Sequence, residues 1–321
     1  MRILVLGGTS FVGRAITEDA LRSGADVSLF GRGKTGNDLF PGVPRLTGDR
    51  DTGDYAALRE GSWDAVVDVS GYVPRHVGQA MDALGDRAGR YLFISSHAVY
   101  RHEGLQPGAT EDTPRRPPRR DTEILDNDTY GPCKVACEDD VLARFGDNAT
   151  IVRPGKVAGP HDWQDGLTYW VQRAARGGPV ILPADPRQPV QVIDSRDLAR
   201  LVVHLLADDR PGAFQAVGPA DPVTLGGLIE TCARAAGTDV QVVPVPPETA
   251  PLLFPLVKDD WVSQQRSAAK ARAAGLPATP LEVTARDVLA WDRDRGMPAS
   301  GRGFTAEQEQ GLLARYGAAP G

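Results

Sequence analysis

An apolar run at residues 3–6 feeds directly into Gly7-Gly8-Thr9-Ser10-Phe11-Val12-Gly13, and the helical pattern of Arg14, Ala15, Ile16 and Ala20 follows at once. A strand, a glycine-rich turn and a helix in immediate succession constrain the fold more than any other feature of the chain. They open a strand–helix–strand unit, and such units build parallel sheets. Further β-branched or aromatic runs lie at 26–30, 65–69, 91–94 and 150–152, with helical patterns between them, including 76–84 and 130–143. The strands are apolar on both faces, so helices must cover the sheet on both sides. The sequence predicts an α/β protein with a doubly wound parallel sheet.

After Gly159 the regular alternation stops. Pro160, Pro179, Pro183 and Pro186 interrupt the segment, and Trp163, Tyr169 and Trp170 cluster there. A chain of 321 residues is long enough for two domains. The expected division is a nucleotide-binding domain over 1–155 plus about 187–210, and a smaller mixed α/β lobe for substrate over about 156–186 plus 211–300. Residues 301–321 are read as a C-terminal helix with a loose tail, and the Pro/Arg cluster at 114–120 as a solvated loop.

The net charge of −6 argues against the basic face that nucleic acids or anionic membranes require. A small-molecule substrate is expected instead. Cys133, Cys137 and Cys232 make no even disulfide framework, and a chain that enters a strand at Arg2 leaves no room for a signal peptide. No apolar run approaches the roughly 20 residues of a membrane span. The expected location is the cytoplasm. Cys133 and Cys137 share a helix face, but without a second ligand pair they read as core, and no metal is expected.

The glycine turn has a ligand of its own. It offers backbone N–H groups and the positive end of a helix to a pyrophosphate, and its missing side chains allow close approach. Gly7, Thr9, Ser10, Phe11, Val12 and Gly13 are therefore candidate dinucleotide contacts, with Ser10 standing where a second glycine is usual. The end of the second strand meets the adenosine ribose, where an acid selects the 2′-hydroxyl and a base the 2′-phosphate. Here Gly31, Arg32, Gly33 and Lys34 follow the strand, so NADP(H) is the preferred cofactor and NAD(H) the alternative. Arg32 and Lys34 as ordinary solvated cations is the competing reading.

Tyr130 and Lys134 lie four apart at the start of a helix and so share one face. A nearby ammonium is expected to lower the tyrosine pKa, making the phenol a usable acid and base. Ser96, at the carboxyl edge of a strand, can donate to the same substrate oxygen. His97 beside it, and His161-Asp162, either tune the pocket or serve as satisfied polar groups.

Together these motifs resemble the extended short-chain dehydrogenases/reductases of the NAD-dependent epimerase/dehydratase family. The resemblance includes Phe93-Ile94-Ser95-Ser96, Val99-Tyr100, Gly48-Asp49, Arg153-Pro154, Gly159-Pro160 and the run from Val192 through Asp194, Asp197 and Ala199. It implies a Rossmann fold with Tyr130 as acid/base, Ser96 as carbonyl-binding hydroxyl and Lys134 on the nicotinamide ribose. It places Asp49 and Arg50 beside the adenine, Ser70 and Gly71 after the fourth strand, and Pro154 along the cofactor. Pairing through the tyrosine helix would make a homodimer. Lys156 stands where nucleotide-sugar epimerases carry an asparagine, so a nucleotide sugar is doubtful. Tyr72, His97, Lys156, Trp163, Trp170 and Arg173 are the candidate substrate residues, with packing of the second lobe as the alternative for the aromatics. Three functions follow: an NADP(H)-dependent oxidoreductase, an epimerase or dehydratase of a sugar-like substrate, or a silent dinucleotide-sensing or nucleic-acid-binding relative.

Overall fold

The computed structural model describes residues 1–251 and 254–317. The chain divides into two compact units. The first comprises Met1–Gly155, Ser195–Val217 and Arg266–Pro277, and the second Lys156–Asp194, Gly218–Gln265 and Ala278–Gly321.

The first unit is built on seven strands: β1 (Arg2–Leu6), β2 (Asp26–Gly31), β3 (Arg45–Thr47), β4 (Trp63–Asp68), β5 (Ala88–Ile94), β6 (Ala149–Pro154) and β7 (Gly212–Ala216). Their order in the sheet is β7-β6-β5-β4-β1-β2-β3, and every neighbouring pair is parallel. Successive side chains of a strand face opposite sides. Leu4, Leu6, Val66, Tyr91, Phe93 and Ile151 pack with helices α2 (Pro74–Leu84) and α3 (Tyr130–Phe145). The alternate residues Ile3, Val5, Ala65, Val67 and Leu92 are equally buried and face the other side, where α1 (Phe11–Arg22) lies against α4 (Ser195–Ala207). The strand order reverses between β1 and β4, and ligands of open α/β sheets bind at the carboxyl ends beside such a reversal.

Two expected boundaries move. Residues 211–216 were assigned to the substrate lobe, but β7 pairs with β6 in register from Gly212↔Thr150 to Ala216↔Pro154 and completes the large sheet. The return expected from about residue 187 begins only at Ser195, because Val192–Asp194 pairs with Lys156–Ala158 inside the second unit.

That unit packs helices Gly166–Ala174, Leu225–Ala236 and Leu281–Asp294 around Trp170, beside the parallel pair Gly178–Leu182 and Val240–Pro244. The helix expected at the C-terminus is present. A capping box of Thr305 and Gln308 starts helix Ala306–Tyr316, and Glu309 takes two 2.6 Å bonds from the Arg173 guanidinium. Residues 318–321 of the expected tail lie outside the described residues. Among the described residues no helix is long and apolar enough to cross a membrane.

Candidate active site

The turn after β1 closes by backbone contact. Gly7 has φ +89°, and a Cβ at Gly13 would lie 2.0 Å from the Gly7 carbonyl oxygen, so α1 can approach β1 only with glycine there. The Thr17 hydroxyl donates to the Gly8 and Gly13 carbonyls at 3.0 and 2.9 Å, locking the turn from below. Ser10 caps α1 without a side-chain bond, and no acid occupies the first turn. The N–H groups that an anion would use are left uncapped by side chains. Thr9 and Thr35 hydroxyls meet at 3.0 Å, joining the turn to the loop after β2, and a Cβ at Gly7 would lie 2.8 Å from that of Ser70. These features fit a pyrophosphate cradle.

At the ribose end, Arg32 and Lys34 are exposed, and Arg32 makes a 3.5 Å ion pair with Asp51. Asp49 pairs by backbone with Asp54 across a tight turn. Arg50, expected beside the adenine, turns inward. It is buried, donates to Asp68 at 2.8 Å and forms part of a network in which Asp68 also accepts from Tyr91 Oη (2.6 Å) and the Ser70 N–H (3.1 Å). The fully buried Asp68 carboxylate needs a cation, and Arg50 supplies it.

The reactive residues come together where expected. Ser96 is extended and sits at the end of β5, its Oγ accepting from the Ala98 N–H at 3.2 Å. A Cβ at Gly131 would lie 2.2 Å from the Ala98 carbonyl oxygen, so the glycine after Tyr130 lets α3 press against this turn. The Ser96 hydroxyl neighbours the Tyr130 phenol and lowers its pKa. Lys134 is buried and donates to the carbonyls of Gly71 (2.6 Å) and Ile94 (2.8 Å). Tyr72 lies beside it, with the ammonium 5.1 Å from the ring centre. Pro154 is buried at the end of β6.

One electrostatic expectation is corrected. Burial pushes the Tyr130 phenol up to about 12, opposed by the neighbouring Ser96 hydroxyl. Lys134 does not lower it, because two backbone carbonyls hold the ammonium, and burial brings Lys134 itself down to about 8. The Tyr130 phenol is therefore held in its protonated form at neutral pH.

The substrate candidates of the second unit fare differently. Trp170 is fully buried, its indole N–H donating to the Pro255 carbonyl at 3.0 Å. Arg173 is buried against Glu309. Both are core rather than pocket, since a buried indole and guanidinium must find internal partners. Trp163 stays exposed. Lys156 donates to Gln164 at 2.7 Å and lies 3.7 Å from the buried Asp162. The Pro/Arg segment at 114–120 is a largely exposed loop, as expected, and it is also strapped to α3, with Arg115 bonded to Glu138 and Asp139 and Arg120 to Asp140. The reading of the sequence missed Glu138, Asp68 and Tyr91. Only Glu138 carried a signal, one helical turn beyond Lys134.

The fold is an open parallel α/β sheet with a glycine-rich turn after its first strand, and Ser96, Tyr130 and Lys134 sit at the carboxyl edge of that sheet. Residues 73–216 match the model of the NAD dependent epimerase/dehydratase family, bearing out the resemblance read from the motifs. UDP-glucuronic acid 4-epimerase of Bacillus cereus, solved in complex with NAD, is similar in fold. Its TM-score is 0.70 at 17% identity, over 94% of this chain and 99% of that one. UDP-glucose 4-epimerase of Thermus thermophilus, also solved with NAD, gives 0.66 at 20% identity, over 91% and 99%. The chloroplast stem-loop binding protein of 41 kDa b from Arabidopsis thaliana is 26% identical over 253 residues, 74% of this chain; the chain spans 63% of that relative's length.

Proposed function

We propose that the protein transfers hydride between NADP(H) and a carbonyl or alcohol carbon of a small molecule, Tyr130 exchanging the proton with the substrate oxygen and Ser96 holding that oxygen. The observation that carries this reading is Ser96 beside Tyr130 at the end of β5, with Lys134 fixed one turn away by the Gly71 and Ile94 carbonyls. A nicotinamide, when bound, would supply or take up the hydride. A phenol protonated at neutral pH suits donation to the oxygen of a carbonyl being reduced, and solvent then restores its proton. On this reading the N–H of Lys134 not used by the Gly71 and Ile94 carbonyls would donate to a ribose hydroxyl.

Arg32 and Lys34 favour the phosphorylated cofactor. An exposed pair such as Arg32–Asp51 is worth at most about 1 kcal/mol, so Arg32 is readily exchanged onto a 2′-phosphate, where a charge-assisted bond contributes roughly 1.5–3 kcal/mol. The family description favours a second reading, an NAD-dependent epimerase or dehydratase that oxidises its substrate transiently. The name of the plant relative suggests stem-loop binding, which the net charge of −6 and the acid-paired arginines of the strap disfavour.

Calorimetric titration with NADP and NAD, repeated on Arg32→Ala, tests the proposal. NADP is expected to bind about tenfold tighter, from one such bond, with the preference lost in the variant. Tighter NAD binding, or no effect of Arg32→Ala, removes the 2′-phosphate reading. Turnover without net consumption of nicotinamide moves the assignment to the epimerase.

A further inference from the structure

The acid/base reading makes no use of Glu138, yet this residue is completely buried on α3 and its carboxylate is saturated with donors. Oε1 accepts from Ser95 Oγ at 2.5 Å and Arg153 Nε at 2.9 Å. Oε2 accepts from Arg153 Nη2 at 2.7 Å and Arg115 Nη1 at 3.0 Å. Arg153 reaches on to Tyr100 Oη at 3.1 Å and to the Glu111 carbonyl at 3.2 Å, and the Glu111 carboxylate accepts from the Gln215 N–H of β7 at 2.6 Å. One carboxylate thus ties together α3, the ends of β5 and β6, and the strap over residues 100–116.

The arrangement at the end of β5 is regular. Three consecutive residues meet α3: the Ile94 carbonyl accepts from Lys134, the Ser95 hydroxyl donates to Glu138, and the Ser96 hydroxyl neighbours Tyr130. Positions 130, 134 and 138 lie one turn apart on a single helix face. Neighbouring side chains of an extended segment point to opposite sides, so pinning Ser95 inward presents Ser96 outward to Tyr130.

We propose that Glu138 is a positioning residue: by gripping Ser95, Arg153 and Arg115 it sets the register of the β5 end against α3, and so the spacing of Ser96, Tyr130 and Lys134. This rests on the acid/base reading of those three residues for its consequence, but not for its geometry.

Hydrogen exchange on the full chain without ligand reads the geometry directly. In Glu138→Gln, peptides covering 94–100 and 111–116 are expected to exchange about tenfold faster or more, the loss of one or more bonds to a charged group, while peptides of β1 and β2 are unchanged. Ser95→Ala, a milder change that keeps the arginine–carboxylate pairs, is expected to loosen 94–100 alone. Unchanged exchange at 94–100 in both variants overturns the proposal. So does a uniform rise throughout the chain in Glu138→Gln, if Ser95→Ala leaves 94–100 protected.

A second readout separates positioning from mere packing. Lys134 is faced by Cys137, Asp68, Arg50 and Glu138, and by the rings of Tyr72 and Phe93. Removing the Glu138 charge makes the ammonium easier to deprotonate, so the pH at which NADP affinity declines is expected to move down in Glu138→Gln and to stay in place in Ser95→Ala. An unmoved midpoint in Glu138→Gln counts against the proposal. If the wild type binds neither NADP nor NAD, the functional reading fails while the exchange result still decides the role of Glu138.

Discussion

The two units use the same kinds of residue to opposite ends. In the first, a tyrosine, a lysine and a serine converge at the carboxyl edge of a parallel sheet, where the lysine bonds to two backbone carbonyls and the serine to a backbone N–H. In the second, a tryptophan and an arginine of equal chemical promise are sealed inside, Trp170 against Tyr169 and Phe254 and Arg173 against Glu309. Residue type alone did not separate these cases. Position on the fold did, because strand ends at a sheet reversal leave backbone and side chains open to a ligand, whereas a small lobe needs its large side chains for a core.

Substitutions can break or sharpen that contrast. The largest effect is expected from Tyr130→Phe, with turnover of any carbonyl substrate lowered by about 10²–10⁴-fold and thermal stability nearly unchanged; retained turnover would remove Tyr130 from the chemistry. Trp170→Ala is expected to do the reverse, costing about 3–5 kcal/mol in urea unfolding. A Trp170→Ala protein of normal stability would return this residue to the list of substrate contacts. Glu309→Gln leaves the buried Arg173 partly unpaired, at a cost of about 3 kcal/mol, with proteolysis at residues 306–316 as the local readout.

Lys134 joins the comparison through pH. Burial lowers it from 10.5 to about 8, so the folded state carries the full penalty of the charge below about pH 8 and loses it as pH rises to 10.5. The unfolded chain binds more protons across that window, and stability must rise there. Relative to Lys134→Met, the wild type is expected to gain on the order of 3 kcal/mol between those limits, measured by denaturation at each pH; a constant difference would mean that the ammonium is better solvated than its burial implies. The smallest effect is that of Arg32→Ala on NADP binding. A loss confined to NADP sharpens the contrast between the open first unit and the closed second.

Much of the first unit was legible in the chain itself. The glycine turn, the alternation of strands and helices, and the four-residue spacing of Tyr130 and Lys134 are local patterns, fixed by backbone sterics and by periods of 2 and 3.6 residues. They predicted α2 and α3 to within a few residues and placed Ser96 at a strand end. Tertiary structure decided what each polar side chain faces. Arg50 turned to Asp68, 18 residues away, Arg173 met Glu309 across 136 residues, and β7 joined the large sheet rather than the lobe that follows it in the chain. The pKa of Tyr130 rose where the motif suggested a fall. A burial penalty and an ion-pair partner depend on which distant segments close around a group, and no local pattern in the sequence encodes that closure.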